Sequence, residues 1–317
     1  MKIADITLNG DAVLAPIAGF TDVGFRDIAC CYGAALTYTE MISCKGMVYG
    51  SEKTKELLAT TDNEKVKAVQ IFGCDPDIMA KACSMPEFDK FDIIDINMGC
   101  PVPKIVNNGE GSSLLNNPKL AMQIVKNVKQ ASGKPVTVKY RKGFKKGDNV
   151  AVDFAKYMQD AGASCVTVHG RTREDYYMGK ADWDTIAKVV QAVQIPVIAN
   201  GDVYDLESYL AIKEHTKAQG VMIARGALGH LHIFKEIANK ALKIDTIFDT
   251  VDKKRDILLQ IETLKNYYQE RYIYSNMKKQ ICYYLKGVKN SKQLKELVCH
   301  VNSVQELINI VSDINFD

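Results

Sequence analysis

Pro196-Val197-Ile198-Ala199-Asn200-Gly201-Asp202, followed by Gly220-Val221-Met222-Ile223-Ala224-Arg225-Gly226, is the stretch that decides the fold. Each run is short, apolar and β-branched, and each ends in polar residues and glycine. The intervening segment 205–216 has helical spacing. Runs without polar alternation are what parallel strands covered on both faces look like. Working back toward the N-terminus, the same unit recurs at Cys165–His169, Val136–Lys139, Ile93–Ile96, Lys67–Ile71, Ala35–Tyr38 and Val13–Pro16. Helix-like segments lie between them at 117–130, 150–161 and 183–193. Eight alternations of strand and helix predict a (β/α)8 TIM barrel. A doubly wound sheet would use fewer strands and carry Gly-x-Gly-x-x-Gly after the first, and neither feature is present.

Beyond about residue 245 the strand signal stops. Ile257, Ile261, Leu264 and Tyr268 follow helical spacing, as do Met277, Ile281, Tyr284 and Val288, then Leu294, Leu297, Val298 and Val301. Ser303-Val304-Gln305-Glu306 reads as a capping box opening a last helix through Leu307, Ile308 and Val311. The expected organisation is a catalytic barrel at 1–244 and a small all-helical domain at 245–317.

Composition narrows the function. The 317 residues are 47% hydrophobic and 25% charged, enough apolar material for a large core, which excludes wholesale disorder. No apolar run is long enough to span a membrane, and Asp5 falls where a signal peptide would need apolar residues, so a cytoplasmic location is expected. Nine cysteines without a Cys-x-x-Cys pair argue against a disulfide framework, a zinc ribbon or a cysteine-ligated cluster, and no metal is expected. Net charge is only +3. Its distribution is uneven: Lys265 to Lys295 holds eight Lys or Arg against Glu270 alone, with six of the fifteen tyrosines. That window suits a phosphate backbone with unstacked bases, and equally a solvated helix surface over a tyrosine-rich core.

In a TIM barrel the active residues sit at the carboxyl ends of the strands. Those positions hold Pro16, Ile17 and Ala18; Gln70; Asn97; Lys139; His169 and Arg171; Asn200, Gly201 and Asp202; and Ala224 and Arg225. Glycines after the last two strands leave backbone amides open to a phosphate. Lys139, inside a strand core, needs an anionic partner. Cys100 stands between Gly99 and Pro101, which exclude a regular strand or helix interior, so its thiol belongs to a loop over the mouth. Gly109 and Gly111 suggest that this loop moves as a lid. With no adjacent histidine base, an acid role suits this thiol better than a nucleophilic one.

The strings Leu14-Ala15-Pro16-Ile17-Ala18-Gly19-Phe20-Thr21-Asp22, Asp95-Ile96-Asn97-Met98-Gly99-Cys100-Pro101, Val168-His169-Gly170-Arg171-Thr172 and Ile198-Ala199-Asn200-Gly201-Asp202 resemble the tRNA-dihydrouridine synthase family, closest to its bacterial B-type branch. The resemblance implies FMN-dependent reduction of uridine to 5,6-dihydrouridine, with NADPH, or NADH, as reductant. By motif, Pro16, Ile17 and Ala18 would line the flavin ring, Ile17 standing where the family usually has methionine. Gln70 would bond the ring's pyrimidine edge, Lys139 would face N1 and O2, and His169 would sit beside the ring. Asn200, Gly201, Asp202, Ala224 and Arg225 would hold the ribityl phosphate. Asn97 and Arg171 would orient the uridine, and Cys100 would protonate C5. Lys278, Lys279 and Lys286, with the loop Arg141-Lys142-Lys145-Lys146, would form the tRNA surface of a monomeric enzyme. The competing readings are the same chemistry on ribosomal RNA, an FMN barrel reducing a small pyrimidine or enone, and a noncatalytic RNA-binding flavoprotein.

Overall fold

The computed structural model describes residues 1–244 and 253–316. Eight strands form the barrel: β1 (Ala12–Leu14), β2 (Thr37–Tyr38), β3 (Lys67–Phe72), β4 (Ile93–Met98), β5 (Val136–Gly143), β6 (Cys165–Thr172), β7 (Val197–Asn200) and β8 (Gly220–Ile223). All neighbouring pairs are parallel, and β8 pairs with β1. A parallel bridge between Val13 and Leu36 joins β1 to β2 and completes the ring. The expected TIM barrel is therefore the observed one. A hairpin of Lys2–Ile3 and Ile6–Thr7 lies at the base, where Ile3 and Leu8 join the interior core.

The helices that matter for the site are α1 (Val23–Cys31), α2 (Pro76–Cys83), α3 (Pro118–Ser132), α4 (Ala151–Asp160), α5 (Trp183–Ala192), α6 (Leu206–Thr216) and α7 (Ile233–Leu242). Several start on side-chain caps, with Asp22, Asp75, Asn117, Asp182 and Asp205 each accepting a first-turn amide. The shell between strands and helices is apolar, as doubly covered parallel strands require.

Inward-facing residues alternate along each strand, and their polarity rises toward the mouth. Ile93, Cys165, Ile198 and Met222 belong to the interior apolar core. One layer up, Asp95 accepts from Thr137 Oγ1 at 2.5 Å and from Gln70 Nε2 at 2.7 Å. Burial pushes the Asp95 carboxyl up to about 6. Above that layer come Asn97, Lys139, His169 and Asn200.

The tail consists of α8 (Lys253–Lys265), α9 (Glu270–Tyr284), α10 (Ser291–His300) and α11 (Val304–Asp313), with a hydrophobic core of its own that Val23 of α1 joins. The expected domain boundary at 244/245 borders residues 245–252, which lie outside the described residues. The capping box before α11 is shifted by one position. Ser303 Oγ accepts from Glu306 N–H, while the Glu306 carboxylate accepts from Asn302 N–H rather than from Ser303. Leu297 is 55% exposed, so it sits off the core face expected of it.

The tail docks on the loop after β1. Asp22, 1% exposed, accepts from Phe25 N–H and from the side-chain amides of Gln260 and Gln280. A Cβ on Gly24 would meet Gln260 at 2.9 Å, so α1 and α8 touch there without a side chain between them. Phe20 packs edge-on against Tyr283 at 5.3 Å.

Candidate active site

A cavity of about 320 Å³ opens at the carboxyl ends of the strands. Ala15, Pro16, Ile17, Ala18, Met41 and Met222 give it apolar walls, and Asn97, Lys139, His169, Asn200 and Asp202 give it polar ones. Cys100 lies on its rim with Gly99, Pro101 and Val102.

The Cys100 loop is held from four sides. Asn97 Oδ1 accepts from Gly99 N–H at 3.1 Å and from Cys100 N–H at 2.9 Å. Arg141 Nε donates to Gly99 O at 2.9 Å, and Ser112 N–H donates to Cys100 O at 3.1 Å. Gly111, at φ +58°, would bring a Cβ within 3.0 Å of the Cys100 Cβ. The glycine expected to belong to a lid therefore packs directly under the thiol. Cys100 is half-buried, and burial raises its pKa, so the sulfur keeps its proton at neutral pH.

Lys139 lies opposite Asn97 in the β4–β5 register and donates to Asn200 Oδ1 at 3.1 Å. Burial, and then repulsion from Arg141, depress the Lys139 pKa to about 8. His169 Nδ1 accepts from Arg171 N–H at 3.1 Å. Burial and the surrounding cations drive its pKa well below the usual histidine value, so the ring is neutral and carries its hydrogen on Nε2.

At the β7 and β8 ends, Asp202 adopts φ +58° and pairs with Arg171 at 2.8 Å and Arg225 at 3.6 Å. The Arg225 guanidinium lies 4.6 Å from the Tyr177 ring and 5.7 Å from the Tyr204 ring. Arg225–Ala227 is a single 3-10 turn in which Ala227 N–H donates to Ala224 O at 3.0 Å.

Pro16, Ile17, Ala18, Asn97, Cys100, Lys139, His169, Asn200, Gly201, Asp202, Ala224 and Arg225 are thus brought together. Four expectations change. Gln70 is fully buried one layer down, donating to Asp95 and accepting from Asn97 Nδ2 at 2.8 Å, and does not line the cavity. Asn97 lines the cavity but spends both ends of its amide on Gln70 and the Cys100 loop. Arg171, 2% exposed, is outside the cavity; it donates to Met178 O and Gly179 O and braces the loop after β6 against Asp202. Arg141 is no surface residue. It is 4% exposed and donates to Gly99, Thr172 and Tyr176 carbonyls, because it is the inward neighbour of Lys139 along β5.

In the tail, Lys279 and Lys286 are exposed, while Lys278 is half-buried with its ammonium 5.3 Å from the Tyr274 ring. Lys142 is paired with Asp182 at 3.0 Å, and Lys145 and Lys146 are exposed. The tyrosines divide: Tyr284 is core, Tyr268 stacks on Tyr272 at 4.2 Å, and Tyr267 and Tyr283 reach solvent.

Strand ends alone do not reveal Met41, Tyr176, Tyr177 and Tyr204, which also line the cavity. The adjacent tyrosines after β6, Tyr176 and Tyr177, were the available signal. Tyr177 lies between Arg225 and Arg141, whose guanidinium is 5.7 Å from its ring.

Comparison with known proteins agrees with this geometry. The chain is 38% identical over 312 residues to a probable tRNA-dihydrouridine synthase 1 of Synechocystis, covering 96% of this chain and 86% of that one. It is 37% identical over 290 residues to tRNA-dihydrouridine synthase B of Pasteurella multocida, covering 91% and 87%. Among solved structures, the fold is similar to an old yellow enzyme homologue from Zymomonas mobilis, with TM-score 0.57, 14% identity and coverage of 80% and 94%. A morphinone reductase gives TM-score 0.57 at 11% identity, covering 76% and 90%. The dihydrouridine synthase family model matches residues 13–316, and the chain belongs to that family.

Proposed function

We propose that the barrel mouth reduces uridine to 5,6-dihydrouridine within tRNA, with FMN bound in the cavity and Cys100 as the proton donor. The observation carrying this reading is a protonated, half-buried thiol, pinned by Asn97 and Arg141, on the rim of a cavity that also holds Lys139 and neutral His169.

The residues fit a flavin phosphate. The walls formed by Ala15, Pro16, Ile17, Ala18 and Met222 suit an apolar planar ring, and Lys139 is a half-buried cation that donates to the neutral Asn200 amide. An anionic ligand would satisfy such a group. Pro16, Ile17 and Ala18 would bear on the ring, with Lys139 and the His169 Nε2–H at its polar edge. Asn200, Gly201, Ala224 and Arg225 would hold the ribityl chain and phosphate. Asp202 carries the wrong sign for a phosphate; it braces the two arginines and would accept from ribityl hydroxyls. Bound there, FMN would supply hydride chemistry toward uracil C6, with a reduced nicotinamide as the electron source, NADPH in this reading and NADH as the alternative.

The chain's own residues do the rest. Cys100 gives its proton to C5, and its raised pKa keeps that proton in place until negative charge develops on the base. Lys139, a cation below about pH 8, offsets charge accumulating in the cavity. Tyr176 and Tyr177 wall the rim where a planar base enters. A stacked uridine must be extruded to reach it, at a few kcal/mol offset by backbone contacts, and the exposed cations Lys279 and Lys286 with Lys278, Lys145 and Lys146 would supply those contacts. In this reading residues 245–317 act as the tRNA-binding domain of a monomeric cytoplasmic enzyme; among the described residues no helix is long and apolar enough to cross a membrane.

Incubation of the purified protein with FMN, NADPH and unmodified tRNA should form dihydrouridine. Formation on ribosomal RNA alone, or turnover of free orotate or an enone without RNA activity, would contradict this assignment.

A further inference from the structure

The loop after β8 carries ligating side chains that the reaction above does not use. His230 and His232 flank Leu231, and Glu236 follows His232 by one helical turn at the start of α7. Nε2 of His230 and Nε2 of His232 approach the same oxygen, Oε1 of Glu236, at 3.4 and 3.2 Å. The imidazole centroids are 4.0 Å apart and edge-on, and the ligating atoms of all three residues lie within 4.8 Å of one another. All three side chains are half-buried, so the group is sheltered yet reachable.

The separations are compatible with ligands that share one cation. A charge-assisted N–H···O bond settles at about 2.7–2.9 Å, shorter than either distance here. Two ligands on one tetrahedral cation, each about 2.0–2.1 Å from it, are held about 3.3 Å apart by the tetrahedral angle. The observed pair of distances falls on that edge. Two imidazoles and one carboxylate also match borderline transition cations better than magnesium or calcium, which take oxygen donors.

We propose that His230, His232 and Glu236 form a binding site for a divalent transition cation of the zinc type, separate from the barrel mouth, with water completing the coordination. The cysteine pattern gives no reason to expect a metal; the signal lies instead in His230-Leu231-His232. Lys253 and the N-terminus of α7 both disfavour a cation here, and Asp205 beside His230 offsets them only in part. The affinity is therefore micromolar rather than that of a closed structural zinc site. The loop is also pressed onto the tail: Gly229 is at φ +72°, and a Cβ there would meet the Tyr283 backbone at 2.7 Å. A bound cation ties this loop to the first turn of α7 and so stiffens the junction between barrel and tail, leaving the chemistry at Cys100 untouched.

The test uses the full-length protein, stripped with a chelator and titrated with zinc chloride by calorimetry and with cobalt(II) by visible absorption. One equivalent of zinc should bind and raise the melting temperature. Bound cobalt should show d–d absorption without a thiolate charge-transfer band. His232→Ala and the near-isosteric Glu236→Gln should each weaken binding on the order of 100-fold, with melting of the chelated variants reporting on folding. His215→Ala, at an exposed histidine elsewhere, should change nothing, and Lys253→Ala should tighten binding several-fold. Absence of micromolar binding, undiminished binding in folded His232→Ala and Glu236→Gln, or a cobalt–thiolate band would overturn the proposal.

Discussion

The barrel mouth and the helical tail are both rich in charged and aromatic side chains, and they use them in opposite ways. At the mouth, Arg141, Arg171 and Asn97 are buried and committed. Arg141 is bonded to three carbonyls, Arg171 to two carbonyls and Asp202, and Asn97 to both Gln70 and the Cys100 loop. In the tail, Lys279, Lys286, Lys289 and Lys292 are exposed over a core of Ile257, Ile261, Met277, Ile281 and Leu307. A ring of strands with two-residue periodicity fixes side-chain direction, whereas a helix surface offers charge without fixed partners. Changes at the mouth should therefore alter chemistry or cofactor binding, and changes on the tail surface should alter affinity for RNA.

The largest effect should come from Cys100→Ala, which should lower dihydrouridine formation in tRNA by roughly 10²–10⁴-fold, the range for losing a positioned proton donor. Asn97→Ala comes next. It frees the amides of Gly99 and Cys100 and should cost on the order of 10²-fold through misplacement of the thiol, while flavin content stays normal; equal loss of flavin would make Asn97 a cofactor ligand instead.

Lys139→Met should weaken flavin binding or slow flavin reduction, and it should stabilise the flavin-free protein at neutral pH. The sign follows from the depressed pKa. Between about 8 and the ordinary 10.5, the unfolded chain binds a proton at this site that the folded chain does not. Stability of the wild-type apoprotein from this group therefore rises with pH across that window, and Lys139→Met should remove that rise from its pH–melting profile.

Asp22→Ala probes the seam between the two regions. It strands the buried amides of Gln260 and Gln280 and should cost about 1–3 kcal/mol of stability in denaturant melts; unchanged stability would mean that the seam relaxes freely. The smallest effect belongs to the tail surface. Neutralising Lys278, Lys279 and Lys286 together should weaken tRNA binding and flatten its salt dependence. The log–log slope should fall by up to about 0.9 for each phosphate that a lysine no longer neutralises. Lys278, half-buried against Tyr274, should contribute least. Unchanged affinity and slope would assign these lysines to solubility alone.

The barrel was legible because eight apolar runs with polar ends leave few other architectures. Strand β2 shows where legibility stopped: Thr37–Tyr38 is so short that nothing in the pattern marks the residues after it, including Met41, as a mouth loop. Arg141 is a case where the signal was present. It stands two residues beyond Lys139 on the same strand, and period two alone puts it inside the barrel. Gln70 and Arg171 are a different case. Their strands and direction were correct, but depth along the barrel axis depends on the stagger between strands, which a single sequence does not display. The Asp22–Gln260–Gln280 cluster joins residues far apart in the chain, and its amides look like ordinary helix surface until α8 and α9 are packed.

The central claim is that Cys100 acts as an acid toward the base and not toward the cofactor. Stopped-flow spectroscopy can follow the two half-reactions of Cys100→Ala separately. Flavin content and flavin reduction by NADPH should match the wild type, while oxidation of the reduced flavin by tRNA should slow by roughly 10²–10⁴-fold. If tRNA oxidises the reduced flavin of the variant at the wild-type rate, Cys100 is not the proton donor.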